Sequence, residues 1–145
     1  MNTLIKNILA VVLGWVGGSV VNMGLIKIGH MLLPIPGIDP NDFDALAQVM
    51  PSLEFKYFIF PFLAHALGTF SGAIIAGLLA VSHKMKFSMG IGGLFLLGGI
   101  MVNYMIPGPT WFAVTDIVFA YLPMAWLGGK LAGKIIRNNE NRDIQ

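Results

Sequence analysis

Cysteine is missing altogether from this 145-residue sequence. Without thiols the chain forms no disulfide, holds no Cys-ligated metal and performs no thiolate catalysis. Charge is scarce as well: Asp, Glu, Lys and Arg make up only 11 % of the residues, whereas a soluble domain carries about 25 %. A soluble protein that is 56 % hydrophobic could not cover its surface. The composition therefore predicts a membrane protein.

Catalytic signatures are also lacking. The sequence contains no HExxH, GxSxG or Walker motif, so no enzyme class is indicated. The net charge of +2 gives no reason to expect nucleic acid as a partner. His30, His65 and Asp116 have no metal-site spacing, and we expect neither a metal nor a cofactor.

Glycine and long apolar runs are what the sequence has in excess. Its eighteen glycines lie largely within apolar runs, which membrane helices tolerate better than soluble ones. At about 1.5 Å per residue, four runs reach bilayer length. The sequence therefore predicts an all-α polytopic membrane protein, with four transmembrane helices in a Gly-rich bundle. The predicted spans are residues 4–31, 55–81, 87–106 and 112–135, within one domain at 1–136 that precedes a polar cytoplasmic tail at 137–145.

The loop at residues 33–54 is the only long polar connection, and it predicts a short amphipathic helix on the outer membrane surface. Asp39 suits the N-cap and Pro40 the first helical position. Apolar residues then recur at helical spacing, namely Phe43, Leu46, Ala47 and Met50.

Basic residues are divided unequally between the two ends of the predicted spans. Two of the nine, Lys27 and Lys56, lie on the side of the long loop. Because basic residues concentrate on the cytoplasmic side, both termini are predicted to be cytoplasmic, in a bacterial inner (plasma) membrane. The seven basic residues on that side are Lys6, Lys84, Lys86, Lys130, Lys134, Arg137 and Arg142.

Each predicted span carries one strongly polar residue, and Tyr104 and Tyr121 add hydroxyl groups. A polar group facing lipid would lack a partner, so we expect these side chains inside the bundle, in the outer half of the bilayer. They form the candidate ligand or proton site. The four polar residues are Asn22, His65, Asn103 and Asp116.

Three GxxxG pairs are candidates for close helix packing. The pair in the second span lies on the same helical face as His65. The pair in the fourth span faces away from Asp116 and predicts a surface for a homodimer or higher homo-oligomer. The pairs are Gly14 with Gly18, Gly68 with Gly72, and Gly129 with Gly133.

Asp116 is the most informative residue, because a carboxylate at the centre of a membrane helix costs about 2.5–3.5 kcal/mol on insertion. The predicted depths of Asp116 and His65 differ by about 6 Å at 1.5 Å per residue. The two groups are therefore expected to pair directly or through a water molecule. Pro123 is expected to kink the same span.

Three functions fit this pattern. The first is a small transporter or binding protein with an outward-facing polar pocket, acting on a small solute or a proton-coupled ligand. The second is a structural or accessory subunit of a membrane complex, in which polar groups only fix helix register. The third is an intramembrane enzyme acting on a lipid or quinone, with His65 and Asp116 as an acid–base pair.

Overall fold

The computed structural model describes residues 2–142, and all regular secondary structure within them is helical. Four segments are long and apolar enough to cross a membrane: Thr3–Leu32, Phe55–Leu79, Lys84–Met105 and Thr110–Arg142. This confirms the predicted all-helical class with four membrane-length segments. The α-helices are α1 (Thr3–Leu32), α2 (Phe43–Val49), α3 (Ile59–Leu79), α4 (Lys84–Met105), α5 (Thr110–Phe119) and α6 (Leu122–Arg142), with 3₁₀ turns at Met50–Ser52 and Phe55–Phe58.

Helix α3 is the central element, since α1, α4 and α6 all pack against it. Its inner positions are small, and Ala64, Ala73 and Ala76 are each 0 % exposed. Small side chains let neighbouring backbones approach closely, and membrane helices gain most of their packing energy from such approach.

The closest contact joins α1 to α3 through two of the predicted GxxxG pairs. A methyl group on Gly72 would lie 2.7 Å from the carbonyl oxygen of Gly14. One on Gly18 would lie 2.5 Å from the carbonyl oxygen of Gly68. Real Cβ atoms do not come so near to a backbone oxygen, so glycine is required at these positions. Since early residues of α1 meet late residues of α3, the two helices run antiparallel.

The two glycines of the third predicted pair, Gly129 and Gly133, lie in different environments. A methyl group on Gly129 would lie 2.9 Å from Cβ of Ser88, so this glycine packs against α4 within the chain. Gly133 has no neighbour within 4 Å of such a methyl group. The pair therefore does not form one exposed surface, and an oligomer contact through it stays a prediction.

Asn7 joins α1 to the end of α3, a role that the sequence analysis did not foresee. Its side-chain oxygen accepts a hydrogen bond from the backbone N–H of Val81 at 2.9 Å. Its amide donates to Oγ of Ser82 at 3.0 Å. Asn7 is only 6 % exposed. The side chain of Asn7 thus provides buried hydrogen-bond partners for Val81 and Ser82, which directly follow the end of α3.

The loop contains a short helix, α2, but its N-cap is Asp42 rather than Asp39. The carboxylate of Asp42 accepts from the backbone N–H of Ala45 at 2.9 Å. Asp39 instead closes a tight turn by accepting from the backbone N–H of Asn41 at 2.9 Å, which an Asp side chain does readily outside helices. The helix therefore begins at Phe43, and its buried residue Leu46 lies with His30 beside a cavity of about 30 Å³.

The fourth span is interrupted rather than only kinked. Helix α5 ends at Phe119 and α6 begins at Leu122, so Ala120 and Tyr121 lie outside both helices. Pro123 explains the break, because it has no N–H to donate to the carbonyl of Phe119. At the far end α6 continues to Arg142, beyond the predicted limit of the span at residue 135. The rest of the predicted tail, 143–145, lies outside the described residues.

The α1–α3 contact predicts that Gly72→Leu destabilises the protein, whereas Gly24→Leu does not. The new side chain at position 72 would collide with the backbone of Gly14, while one at position 24 meets nothing within 4 Å. Overpacking typically costs about 1–3 kcal/mol. Thermal unfolding in detergent measures the difference, and equal melting temperatures for the two variants would contradict the contact.

Candidate functional site

Asp116 lies one turn before the end of α5 and is completely buried, at 0 % exposure. Nδ1 of His65 lies 2.9 Å from Oδ1 and 2.9 Å from Oδ2 of this carboxyl group. The hydroxyl of Tyr121 donates to Oδ2 at 2.7 Å. Both oxygens of the carboxyl group therefore have partners within the protein. We call His65, Asp116 and Tyr121 the polar triad.

The positions of the three residues follow from their helices. His65 projects from the second turn of α3, and its backbone carbonyl accepts a hydrogen bond from Oγ1 of Thr69 at 2.7 Å. Tyr121 occupies the break between α5 and α6. The break brings the phenol back toward Asp116, five residues earlier in the chain.

Tyr121 is 1 % exposed and lies against α4 at Gly99. A methyl group at Gly99 would fall 2.0 Å from the phenol oxygen and 2.4 Å from Cζ. Only glycine leaves room for the ring at this position. The imidazole of His65 stacks on the same ring at a centroid distance of 5.7 Å. Helices α3 and α4 thus hold the phenol between them.

The geometry assigns the proton positions. Because the single phenol hydrogen of Tyr121 is directed to Asp116, the phenol oxygen presents a lone pair to Nδ1 of His65, 3.0 Å away. An unprotonated Nδ1 would place two lone pairs against each other. A hydrogen on Nδ1, donated between the two oxygens of the carboxyl group, avoids that repulsion and satisfies all three contacts.

No protein-family model, curated protein or solved structure matches this chain. The function is therefore argued from the triad and its surroundings.

Aromatic side chains close the site on the side of the long loop. Phe112 lies one turn before Asp116 on α5 and is 5 % exposed. Phe58, at 1 % exposure, packs on Phe112 at a centroid distance of 4.7 Å and edge-on to Trp111 at 5.3 Å. Since Phe58, Phe112 and Asp116 are all buried, solvent does not reach the carboxylate from this side.

Nε2 of His65 is the atom of the triad left without a partner. Within residues 2–142, the hydrogen bonds of the imidazole all involve Nδ1. In the same part of the chain, no buried side-chain nitrogen or oxygen lacks a partner. Nε2 is therefore at the accessible edge of the ring, consistent with 14 % exposure of the His65 side chain.

The other predicted site residues lie around the triad or away from it. Asn22 is half-buried on α1, and its Cβ lies against Gly68. Gly68 is one turn along α3 from His65. Asn103 donates to the carbonyl of Gly99 at 3.1 Å, and Gly99 is the residue that packs against the phenol of Tyr121. Tyr104 is 89 % exposed and does not join the triad. Among the described residues, no group of three His, Cys, Asp or Glu side chains is placed to hold a metal ion.

Two features of the site escaped the sequence analysis. The hydrogen bond from Thr69 to the carbonyl of His65 has a recognisable signal, since Thr four residues along a helix commonly bonds back in this way. The aromatic closure at Phe58 and Phe112 has no such signal, because aromatic residues near a span end equally suit a membrane interface.

We predict that Tyr121→Phe destabilises the protein by about 1–2 kcal/mol, between the averages for hydrogen bonds in membranes and for those to charged groups. The ring would stay against Gly99, while Oδ2 of Asp116 loses its shorter hydrogen bond. Tyr104→Phe is the matched control, because that hydroxyl is on an exposed side chain.

Unfolding of both variants in mixed micelles measures the difference. A loss of equal size in the two variants would show that the hydroxyl of Tyr121 contributes nothing specific.

Proposed function

We propose that this protein is a small proton-coupled membrane carrier, and that the polar triad holds its exchangeable proton. The observation that carries the proposal is a fully buried carboxylate, bound by His65 and Tyr121, within a segment of membrane length. Ionisable residues inside membrane spans commonly mark proton and solute pathways.

The charge of the triad gives a reason for coupling. With His65 protonated on both nitrogens, imidazolium and carboxylate form an ion pair without net charge. Loss of the proton from Nε2 leaves one negative charge in a low-dielectric interior, where an uncompensated charge is costly. Binding of a cationic solute or a change of conformation relieves that cost. Proton release is thereby linked to a second event.

The break between α5 and α6 supports movement at the site. Pro123 and the residues Ala120 and Tyr121 interrupt the helix next to Asp116. Discontinuous helices occur at the binding sites of many transporters, where one half-helix moves relative to the other. Tilting of α5 would separate Phe112 from Phe58, whose rings are in contact, and would open the predicted outward-facing pocket.

We further propose that the four segments form a transmembrane bundle whose termini are both cytoplasmic. The seven-to-two distribution of basic residues supports this orientation. The contact of Asn7 with Ser82 also supports it, because it brings the start of α1 and the start of α4 to the same end.

A reporter protein fused after Gln145 tests the orientation. We expect a fluorescent reporter, which matures in the cytoplasm, to be active, and an export-dependent phosphatase to be inactive. The reverse result would place the basic end outside.

Proton coupling predicts that Asp116→Asn abolishes activity and leaves the fold largely intact. Asn keeps the shape and part of the hydrogen bonding but cannot form the ion pair. His65→Gln removes the exchanging nitrogen and should also be inactive. We expect wild-type activity to depend on pH, because the proposed exchange at Nε2 of His65 adds and removes a proton.

The measurement is proton uptake into vesicles that contain the full chain, with and without a panel of small amines, organic acids and sugars. Asp44→Asn is the matched control, because Asp44 is an exposed carboxylate on α2. Coincident pH profiles for wild type, Asp116→Asn and His65→Gln would contradict proton coupling.

One observation favours an accessory subunit as the second candidate. Every buried polar side-chain atom within residues 2–142 has a partner, as expected where polar groups serve only to hold helices together. An accessory subunit should co-purify with a larger membrane protein, and Asp116→Asn should weaken that association without affecting proton uptake.

A further inference from the structure

An open groove lies on the outer face of α6, near the end that carries most of the basic residues. It is a shallow space of about 550 Å³ that is open to the surroundings. All of its lining residues come from two turns of α6. They are Lys130, Leu131, Gly133, Lys134 and Arg137.

Three of these side chains are cationic and lie on one face of the helix. Lys130, Lys134 and Arg137 are spaced by four and three residues, which is helical spacing. Gly133 lies one helical turn from both Lys130 and Arg137, and even a methyl group on it would meet nothing within 4 Å. The sequence therefore leaves open space, rather than a side chain, beside these two positive charges.

The wall of the groove toward the apolar part of α6 suits a lipid. Lys130 lies over the ring of Trp126 at 4.4 Å, and this ring is 46 % exposed. Leu131 adds an apolar surface that is 38 % exposed. A free inorganic anion would gain nothing from these two side chains, whereas the glycerol and acyl chains of a phospholipid would cover them.

The height of the groove also fits the headgroup layer. Ala132 packs against Gly77, close to the end of α3. From Lys130 to Arg137 the helix rises about 10 Å, comparable to the polar layer of about 5–8 Å on each side of a bilayer. Lys130 thus lies near the hydrocarbon boundary and Arg137 near water.

We infer that this groove binds one anionic phospholipid, whose phosphate lies over Gly133 between Lys130 and Arg137 and within reach of Lys134. The inference rests on the membrane placement of α6 but not on proton exchange at the triad. A second copy of the chain is a poor occupant, because a symmetric contact would bring six cations together.

The groove-filling variant Gly133→Leu tests the shape of the site with all charges kept. Leucine at this position has room, so the fold should be unaffected, but its side chain would occupy the place of the phosphate. Gly90→Leu is the matched control, since Gly90 likewise has nothing within 4 Å and lies on α4. Native mass spectrometry of the full chain, titrated with phosphatidylglycerol or phosphatidylcholine, measures binding.

We expect wild type and Gly90→Leu to bind one phosphatidylglycerol in preference to phosphatidylcholine. Gly133→Leu should bind phosphatidylglycerol at least about fivefold more weakly, equivalent to losing one cation near a membrane surface. Equal binding by Gly133→Leu and Gly90→Leu would overturn the site.

A second pair of variants separates the groove from diffuse surface charge. Lys134→Gln with Arg137→Gln should weaken binding by about 25-fold, or about fivefold per cation. Lys6→Gln with Lys86→Gln removes the same charge at the same end but outside the groove, and it should have little effect. Equal losses in the two double variants would overturn the inference, as would displacement of the lipid by inorganic phosphate.

The outcome is independent of the proton-coupled function. Lipid binding that persists in Asp116→Asn, together with loss of proton uptake, would support both proposals. Proton uptake unaffected by Asp116→Asn would contradict the carrier function while leaving the lipid site intact.

Discussion

A buried carboxylate in an apolar helix imposes the strictest condition on this structure. Asp116 has 0 % exposure, and the surrounding helices offer no water to solvate it. Its two oxygens must therefore find donors within the chain, and they find them in His65 and Tyr121. The cost of an unpartnered charge at this depth exceeds the gain from several apolar residues, so the three side chains have to be positioned together.

The glycine contacts follow from that condition. Gly99 leaves room for the phenol ring, and Gly68 with Gly18 lets α1 approach α3 one turn from His65. A larger residue at position 99 would displace the phenol and lengthen its hydrogen bond to Asp116. The break at Ala120 and Tyr121 serves the same end, because a continuous helix would carry Tyr121 away from Asp116. Polar pairing and close backbone packing are thus two parts of one arrangement.

Much of this could be predicted from residue type and spacing. The length of the apolar runs identified the four segments, and helical periodicity placed His65 on the glycine face of α3, where α1 packs. The scarcity of polar residues in the spans singled out Asp116, since few partners were available to it. Direct contact between His65 and Asp116, without a bridging water, follows from side-chain directions that a depth calculation does not contain.

For other features the sequence allows two alternatives, and residue type and spacing do not decide between them. Asp39 and Asp42 both suit an N-cap, and only the backbone turn at Asn41 decides for Asp42. Pro123 indicated a distortion, but whether a helix bends or breaks depends on the contacts that Tyr121 gains. Gly129 and Gly133 share a motif and differ in environment, because Ser88 of α4 covers one and nothing covers the other.

The central claim is that the triad exchanges a proton at Nε2 of His65 while Nδ1 stays protonated against Asp116. Nitrogen-15 magnetic resonance of labelled histidine, with the full chain in lipid bilayers, measures both nitrogens directly. The difference from His65→Gln assigns the signals among the three histidines. We predict that Nδ1 stays protonated at every pH at which the protein is folded, and that Nε2 changes from protonated to unprotonated as the pH rises. An unprotonated Nδ1, or an Nε2 signal that does not change with pH, would contradict the account.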